Sequence, residues 1–329
     1  MIISRTPVRI PLGGGGTDLP AYYEQYGGFV LSAAVNQYVY ITVKKHFEET
    51  IRFSGYHRKE VAGTVDDIQH PVVREALRML EIGGGIEIVS LSDVPANVGL
   101  GTSSSFTVGL LCALHAYRGE YPAPQTLAQE ALTIERHILN ETGGIQDQYI
   151  AAYGGIVSID VNQQGEITLV PLRIDQNVIE DLEMRLLFFY TNIQRTAHKL
   201  QAGHMQSISN GVEKVTESLH QIKRIGLEIK EAVKESKLDK FGRLLDEHWK
   251  CKTRIGNDIS NRSIDSWYQM AMDAGALGGK LLGAGGGGFL MFYCQNGVKD
   301  RVRSALVKEG LKEISFRFEP TGSRIILHI

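Results

Sequence analysis

The sequence predicts an α+β protein of two domains, residues 1–180 and 181–329. Three observations carry this. The chain has 329 residues, enough for two ordinary domains at roughly 100–200 residues each. Strand-like and helix-like patterns occur in both halves, and a strongly apolar strand, Met184 to Tyr190, opens the second. Glycine is enriched, at 36 of 329 residues against a usual ~7%. It clusters at 13–16, 83–85, 143–144, 154–155 and 283–288, where tight loops bring the backbone close to something.

Composition narrows the class. A hydrophobic fraction of 43% with 22% charged residues excludes disordered and coiled-coil classes. The formal net charge of −2 argues against nucleic-acid binding, which needs a concentrated positive surface. Cys112, Cys251 and Cys294 cannot build a disulfide framework and form no CxxC pair, so three reduced thiols in a cytoplasmic protein are expected. Arg5 and Arg9 interrupt the first apolar run, against a signal peptide, and no run reaches the ~20 apolar residues of a bilayer span. The expected partner is a small molecule, with no nucleic acid and no membrane; both a monomer and a homodimer fit.

In chain order, residues 1–12 alternate as a strand ending at the first glycines, 29–43 form one or two strands, 72–80 a short helix and 86–89 a strand. Helices follow at 106–117 and 124–139, the second opened by Pro124. Residues 155–159 and 167–170 make a hairpin across Gln164-Gly165. Ile208, Val212, Val215, Leu219 and Ile222 trace one helical stripe, and Asp239 is placed to cap a helix ending near Arg254. Residues 278–293 read strand, glycine loop, strand; 298–309 read as a helix, and 314–318 and 324–329 as closing strands.

Three segments carry chemistry. The first is Pro95-Ala-Asn97-Val-Gly99-Leu100-Gly101-Thr102-Ser103-Ser104-Ser105, leading into an apolar helix. Glycines let successive N–H groups point into one concavity, hydroxyls add donors, and a helix N-terminus favours anions, so this is a phosphate cradle. An ordinary serine cap is the plainer reading, disfavoured by three consecutive serines behind GxG. It is not a Walker A loop, since around Gly279-Lys280 the first glycine position holds Ala274 and the hydroxyl position Leu281. Gly283 to Gly288 spells GxGxxG, but Phe289 to Tyr293 reads as a strand where a dinucleotide site needs a helix.

The second segment, Arg9 to Asp18, is a strand entering a glycine loop that ends in a carboxylate suited to sugar hydroxyls; an Asx turn is an equal reading. The third pairs Glu135 with Asp147, which follows a Gly-Gly turn. Phosphoryl transfer needs a group to orient the attacking hydroxyl and a metal to neutralise phosphate charge, and two carboxylates can divide those tasks; taken in isolation, each reads more simply as a solvated surface acid.

In order and context these motifs resemble the GHMP kinases (galactokinase, homoserine kinase, mevalonate kinase, phosphomevalonate kinase) over nearly the whole chain. The resemblance implies an N-terminal domain like ribosomal protein S5 domain 2, a ferredoxin-like C-terminal domain, and ATP with Mg²⁺ as cofactors. It implies that residues 95, 97 and 99–105 bind ATP, that Ser103 and Glu135 hold the metal, and that Asp147 and Arg9 are catalytic. Gly16, Thr17, Asp18, Gly144, Asp147, Gly285 and Gly286 fall at substrate positions. Galactokinases carry an acid and a histidine where Gly15 and Gly16 stand, which argues against galactose. The stretch Gly14 to Tyr22 with Tyr26-Gly27-Gly28 is similar to the branch acting on D-glycero-D-manno-heptose 7-phosphate. That implies phosphorylation of the anomeric C1 hydroxyl to a 1,7-bisphosphate for GDP-heptose synthesis. A phosphorylated substrate requires a cationic clamp, for which Arg195, His198, Lys199 and Lys280 are candidates, the guanidinium leading. A kinase of a neutral sugar such as fucose, and a non-catalytic sugar or ATP sensor, are the alternatives.

Overall fold

Strand β1 (Ile2–Gly13) runs antiparallel to β2 (Gly28–Lys45) for nearly its whole length, with Ile2 opposite Val43 and Gly13 opposite Leu31. The register shifts after Pro7 and after Pro11, residues that cannot donate to the ladder. The computed structural model describes residues 1–55, 58–194, 203, 206–208 and 210–329. Helix α1 (Pro20–Tyr26) joins the first two strands; β3 (Ile51–Gly55), β4 (Arg58–Ala62), α2 (Pro71–Met79) and β5 (Ile86–Ser92) follow. Next come α3 (Thr102–Tyr117), α4 (Pro124–Leu132), a π-helical turn at Thr133–Ile138, α5 (Gln146–Tyr153), β6 (Ile156–Val161) and β7 (Ile167–Pro171). The remainder contains α6 (Gln176–Arg185), β8 (Leu186–Tyr190), α7 (Glu213–Lys234), α8 (Leu238–Lys252) and α9 (Arg262–Asp273). It closes with β9 (Gly278–Leu281), β10 (Phe289–Tyr293), α10 (Lys299–Lys308), β11 (Lys312–Glu313) and β12 (Arg324–His328).

Two sheets result. The larger has the order β12-β1-β2-β5-β3-β4, with β6 and β7 branching from β2. The long β2 serves both branches: residues 28–33 pair with β6 and residues 39–45 with β5. The smaller sheet is β11-β8-β10-β9. One core lies between the large sheet and α2–α5, and a second joins that sheet to α7, α8 and the small sheet. Alternation in β8 and β10 sends Phe188, Phe289 and Met291 into the second core, and Leu187, Phe189, Leu290 and Phe292 into a third beneath α9 and α10. No described helix is long and apolar enough to cross a membrane.

Of the one or two strands expected at 29–43 there is one, because both of its edges find partners. Several other expectations need correction. The apolar run from Met184 is a strand only from Leu186; before it, Asp175 caps α6 by accepting from the Asn177 N–H. Val212 is exposed at the start of α7 and Gly211 has φ 66°, so the stripe is broken there; it continues instead through Ile225, Ile229 and Val233. Asp239 lies inside α8 and accepts from Gln295 and Tyr293, so it caps nothing. Residues 314–318 are not a strand; they meet the sheets at separate points, the Val35–Phe318 bridge, the Ile314 N–H on the Phe188 carbonyl and the Asn36 N–H on the Arg317 carbonyl. Strand β12, expected with the second half, pairs with β1 and returns the chain to the large sheet. Strands β3 and β4 and helices α5 and α9 carry no decisive sequence signal.

Candidate active site

The 95–105 loop turns through three left-handed residues, Asn97 (φ 61°), Gly99 (φ 80°) and Gly101 (φ 72°). Gly101 is the N-cap of α3, so the hydroxyls of Thr102 to Ser105 occupy the first helical turn rather than a loop ahead of Phe106. Half-buried Pro95 leads the loop, and the buried Leu100 carbonyl accepts the Arg9 N–H. The hydroxyls divide between structure and cavity. Ser105 Oγ bonds the Pro7 carbonyl at 2.9 Å, and Ser104 Oγ donates to Glu135 at 2.9 Å. Thr102 and Ser103 line a cavity of about 390 Å³, where the Thr102 hydroxyl is buried without a partner among the described residues.

That cavity is walled by Phe53, His70, Val72 and Phe106, with Arg58 at its edge. The His70 and Phe106 ring centroids are 5.2 Å apart. Burial, reinforced by Arg58, lowers the His70 pKa and favours the neutral ring. These residues come from separate elements and spell no motif, so only folding could reveal them.

On the other side of the loop, Arg9 and Asp147 form a bidentate pair, Nε to Oδ1 at 2.7 Å and Nη2 to Oδ2 at 2.8 Å. Arg9 Nη1 donates to the Gly99 carbonyl at 2.6 Å, tying the pair to the 95–105 loop. Asp147 sits in the first turn of α5, where a helix N-terminus favours a carboxylate. Asp18 is fully buried and accepts from the N–H groups of Gly16, Ile145 and Gln146 and from Gln146 Nε2. Its pKa is raised, first by burial and then by Asp147. A Cβ on Gly144 would lie 2.0 Å from Asp18 Oδ2, so only glycine admits this carboxylate.

Arg9, Gly16, Asp18, Gly144 and Asp147 line one narrow cavity. Thr17 does not line it: its hydroxyl bonds the Gly14 and Phe29 carbonyls and accepts the Phe29 N–H, holding the glycine loop. Gly285 and Gly286 are likewise absent from the lining, because they pack on Ile259, whose carbonyl accepts the Gly286 N–H at 2.8 Å. Gly283 and Ala284 line the cavity instead. Gly283 rests against Gly99: a Cβ there would meet Gly99 Cα at 2.5 Å. The strand β10 follows, as the context argument requires.

Glu135 is fully buried and accepts from Ser104, Thr107 and Gln148, the last two at 2.5 Å. Burial raises its pKa, and Arg136 opposes the shift. The hydroxyls it touches are those of Ser104 and Thr107, while Ser103 stands exposed at the cavity. No described group of three or more His, Cys, Asp or Glu side chains is arranged to hold a metal. One carboxylate beside hydroxyls fits a hard cation that completes its shell with phosphate oxygens and water. Arg195, His198 and Lys199 lie outside the described residues, and Lys280 is buried in the cavity wall with Lys252 and His248, two residues no motif marked.

A cradle on a helix N-terminus, facing an aspartate–arginine pair across touching glycine loops, defines a phosphotransferase acting on a hydroxyl group. Residues 70–155 match the GHMP kinases N terminal domain and residues 229–313 the GHMP kinases C terminal domain. The chain is 32% identical to the D-glycero-alpha-D-manno-heptose 7-phosphate kinase of Campylobacter jejuni, over 98% of this chain and 97% of that protein. It is 26% identical to the L-fucokinase/L-fucose-1-P guanylyltransferase of Bacteroides fragilis, over 90% of this chain and 35% of the relative. The crystal structure of the D-glycero-D-manno-heptose 1-phosphate kinase of Bacteroides thetaiotaomicron superposes with a TM-score of 0.83 at 25% identity, covering 100% of both chains. The protein belongs to the GHMP kinase family and has its two-domain α+β fold.

Proposed function

We infer that the protein transfers the γ-phosphate of ATP to the anomeric C1 hydroxyl of D-glycero-D-manno-heptose 7-phosphate. The observation that carries this reading is the shared lining of one cavity by Arg9, Asp18 and Asp147, next to the loop pair Gly99–Gly283. The likeness to a heptose 7-phosphate kinase over nearly the whole chain supports the choice of acceptor. Residues 1–180 supply the nucleotide cradle and most of the sugar contacts, and residues 181–329 close the site.

In this reading Asp147 Oδ faces the acceptor hydroxyl and orients or takes its proton. Arg9 holds that carboxylate in one geometry and offsets the charge that develops on the attacking oxygen. Asp18 retains acceptor capacity for a sugar hydroxyl. The N–H groups between Gly99 and Ser105 cradle the phosphates, and the base lies in the Phe53, His70 and Phe106 cavity. Mg²⁺, when bound, would neutralise phosphate charge; Ser103 would hold it from the cavity side and Glu135 from behind the Ser104 and Thr107 hydroxyls.

Release of ADP should be greatest with heptose 7-phosphate in a panel that also contains heptose 1-phosphate, mannose 6-phosphate, fucose, galactose and mevalonate. Preference for fucose would replace this reading with that of a neutral-sugar kinase, and no turnover with any acceptor would favour a sensor. The Phe106→Ala variant should raise the KM for ATP about tenfold, the scale of one lost ring contact, and leave the KM for the sugar near wild type. An equal rise in both constants would remove Phe106 from the base site.

A further inference from the structure

Three buried basic side chains of the second half converge on the acceptor cavity. His248 and Lys252 stand one turn apart on α8, Lys280 lies on the adjoining β9, and their exposures are 1%, 9% and 1%. All three line the cavity with Arg9, Asp18 and Asp147. Their polar contacts inside the protein are few. Lys252 Nζ donates to the carbonyls of Leu281 (3.1 Å) and Gly283 (2.5 Å), and among the described residues Lys280 Nζ reaches only the Leu12 carbonyl, at 3.4 Å. Neither ring nitrogen of His248 has a hydrogen-bond partner among the described residues. Among the described residues no carboxylate pairs with any of the three, and Asp147 is already engaged by Arg9. Two buried lysine amines and an unsatisfied imidazole with no carboxylate paired to them are costly in an empty site, which fits a site whose anion arrives with the ligand.

We propose that His248, Lys252 and Lys280 form a phosphate-binding cradle at the acceptor end of the active site. Three convergent nitrogen donors suit the several oxygens of a phosphate, and its two negative charges answer the two lysines. The proposal rests on the reading that the acceptor enters the cavity of Asp18 and Asp147. The phosphate can come from either of two sources, the acceptor's own group or the γ-phosphate of the nucleotide.

Electrostatics agree with the geometry. Burial and then Arg9 bring the Lys252 pKa down to about 7, and burial with Lys252 and Arg9 pushes Lys280 well below its ordinary value. Burial and both lysines likewise depress His248. The facing charges are thus Arg9 from β1, Asp18 from the glycine loop, Asp147 from α5, and the three groups themselves. Near pH 8 the empty cradle is short of protons, and a bound dianion raises these pKa values, so binding takes up protons.

The test uses the full chain, with Lys280→Met, Lys252→Met and His248→Gln as variants and thermal melts to confirm folding. Titration calorimetry of heptose 7-phosphate and of inorganic phosphate at pH 8, in two buffers of different ionisation enthalpy, reads affinity and proton uptake. Wild type should take up protons with both ligands. Lys280→Met should weaken heptose 7-phosphate binding 10- to 100-fold and reduce the uptake, with partial rescue in Lys280→Arg. If the acceptor's own phosphate is held, the KM for heptose 7-phosphate rises at least tenfold more than that for unphosphorylated heptose. If the γ-phosphate is held, kcat falls equally with both acceptors. Wild-type affinity, proton uptake and kinetics in folded Lys280→Met and Lys252→Met would overturn the cradle even while heptose 7-phosphate remains the substrate. Turnover of neutral sugars alone would instead overturn the proposed substrate, and inorganic phosphate would still report on the cradle.

Discussion

Asp147→Asn is expected to lower kcat by ~10²–10⁴-fold, the usual contribution of a positioned acid or base, with the Kd for ATP near wild type. Asparagine keeps the shape of the side chain but loses the charge that pairs with Arg9 through two bonds of 2.7 and 2.8 Å. Arg9 is only 6% exposed, so part of its charge is left without a partner, at a cost of about 1–3 kcal/mol of stability. Pre-steady-state turnover and ATP titration separate the chemical step from nucleotide binding. A wild-type rate in the variant would remove Asp147 from catalysis and leave the pair a structural clamp between β1 and α5. A loss confined to ATP affinity would move its role to the nucleotide side.

Gly283→Ala should be nearly as damaging, although it alters no reactive group. The added methyl would meet Gly99 Cα at 2.5 Å and the Gly99 carbonyl oxygen at 2.8 Å, backbone atoms that cannot rotate away. The two glycine loops must then separate, and displacements of about an ångström in an active site commonly cost ~10²-fold in rate. Gly283 also has φ 72°, a conformation that costs an alanine about 1–2 kcal/mol. Gly297→Ala is the control: its φ is 81° but nothing lies within 4 Å of the new methyl. The control should lose stability alone, as seen in its melting temperature, while Gly283→Ala loses kcat/KM as well. Equal effects of the two substitutions would show that backbone strain, not loop contact, governs activity.

Strand β10 was legible because an apolar run directly behind a glycine cluster has few other interpretations, and β8 because five consecutive apolar and aromatic residues are too short for a buried helix. The loop leading into α3 was legible too, since glycines, consecutive serines and a following apolar helix coincide within eleven residues, 95–105. Less legible was how its hydroxyls divide. Ser103, Ser104 and Ser105 are identical in sequence, yet one faces the cavity, one bonds Glu135 and one bonds the Pro7 carbonyl. Successive residues of a helix point about 100° apart, so their partners depend on which surfaces surround the helix. Thr17 and the glycines at 285 and 286 illustrate the same point: their motif positions suggest ligand contact, while in the fold the Thr17 hydroxyl bonds backbone carbonyls and the glycines lie against Ile259.

The sequence alone determined the fold class and the family, because glycine spacing and hydrophobic pattern are local properties that survive unfolding. Tertiary structure alone decided the membership of each cavity. Arg9 and Asp147 meet across 138 residues, and Lys252 and Lys280 reach the same wall from different elements. Buried charge reads no differently from surface charge in a string of letters. Its chemistry depends on which neighbours exclude water from it, and folding sets that.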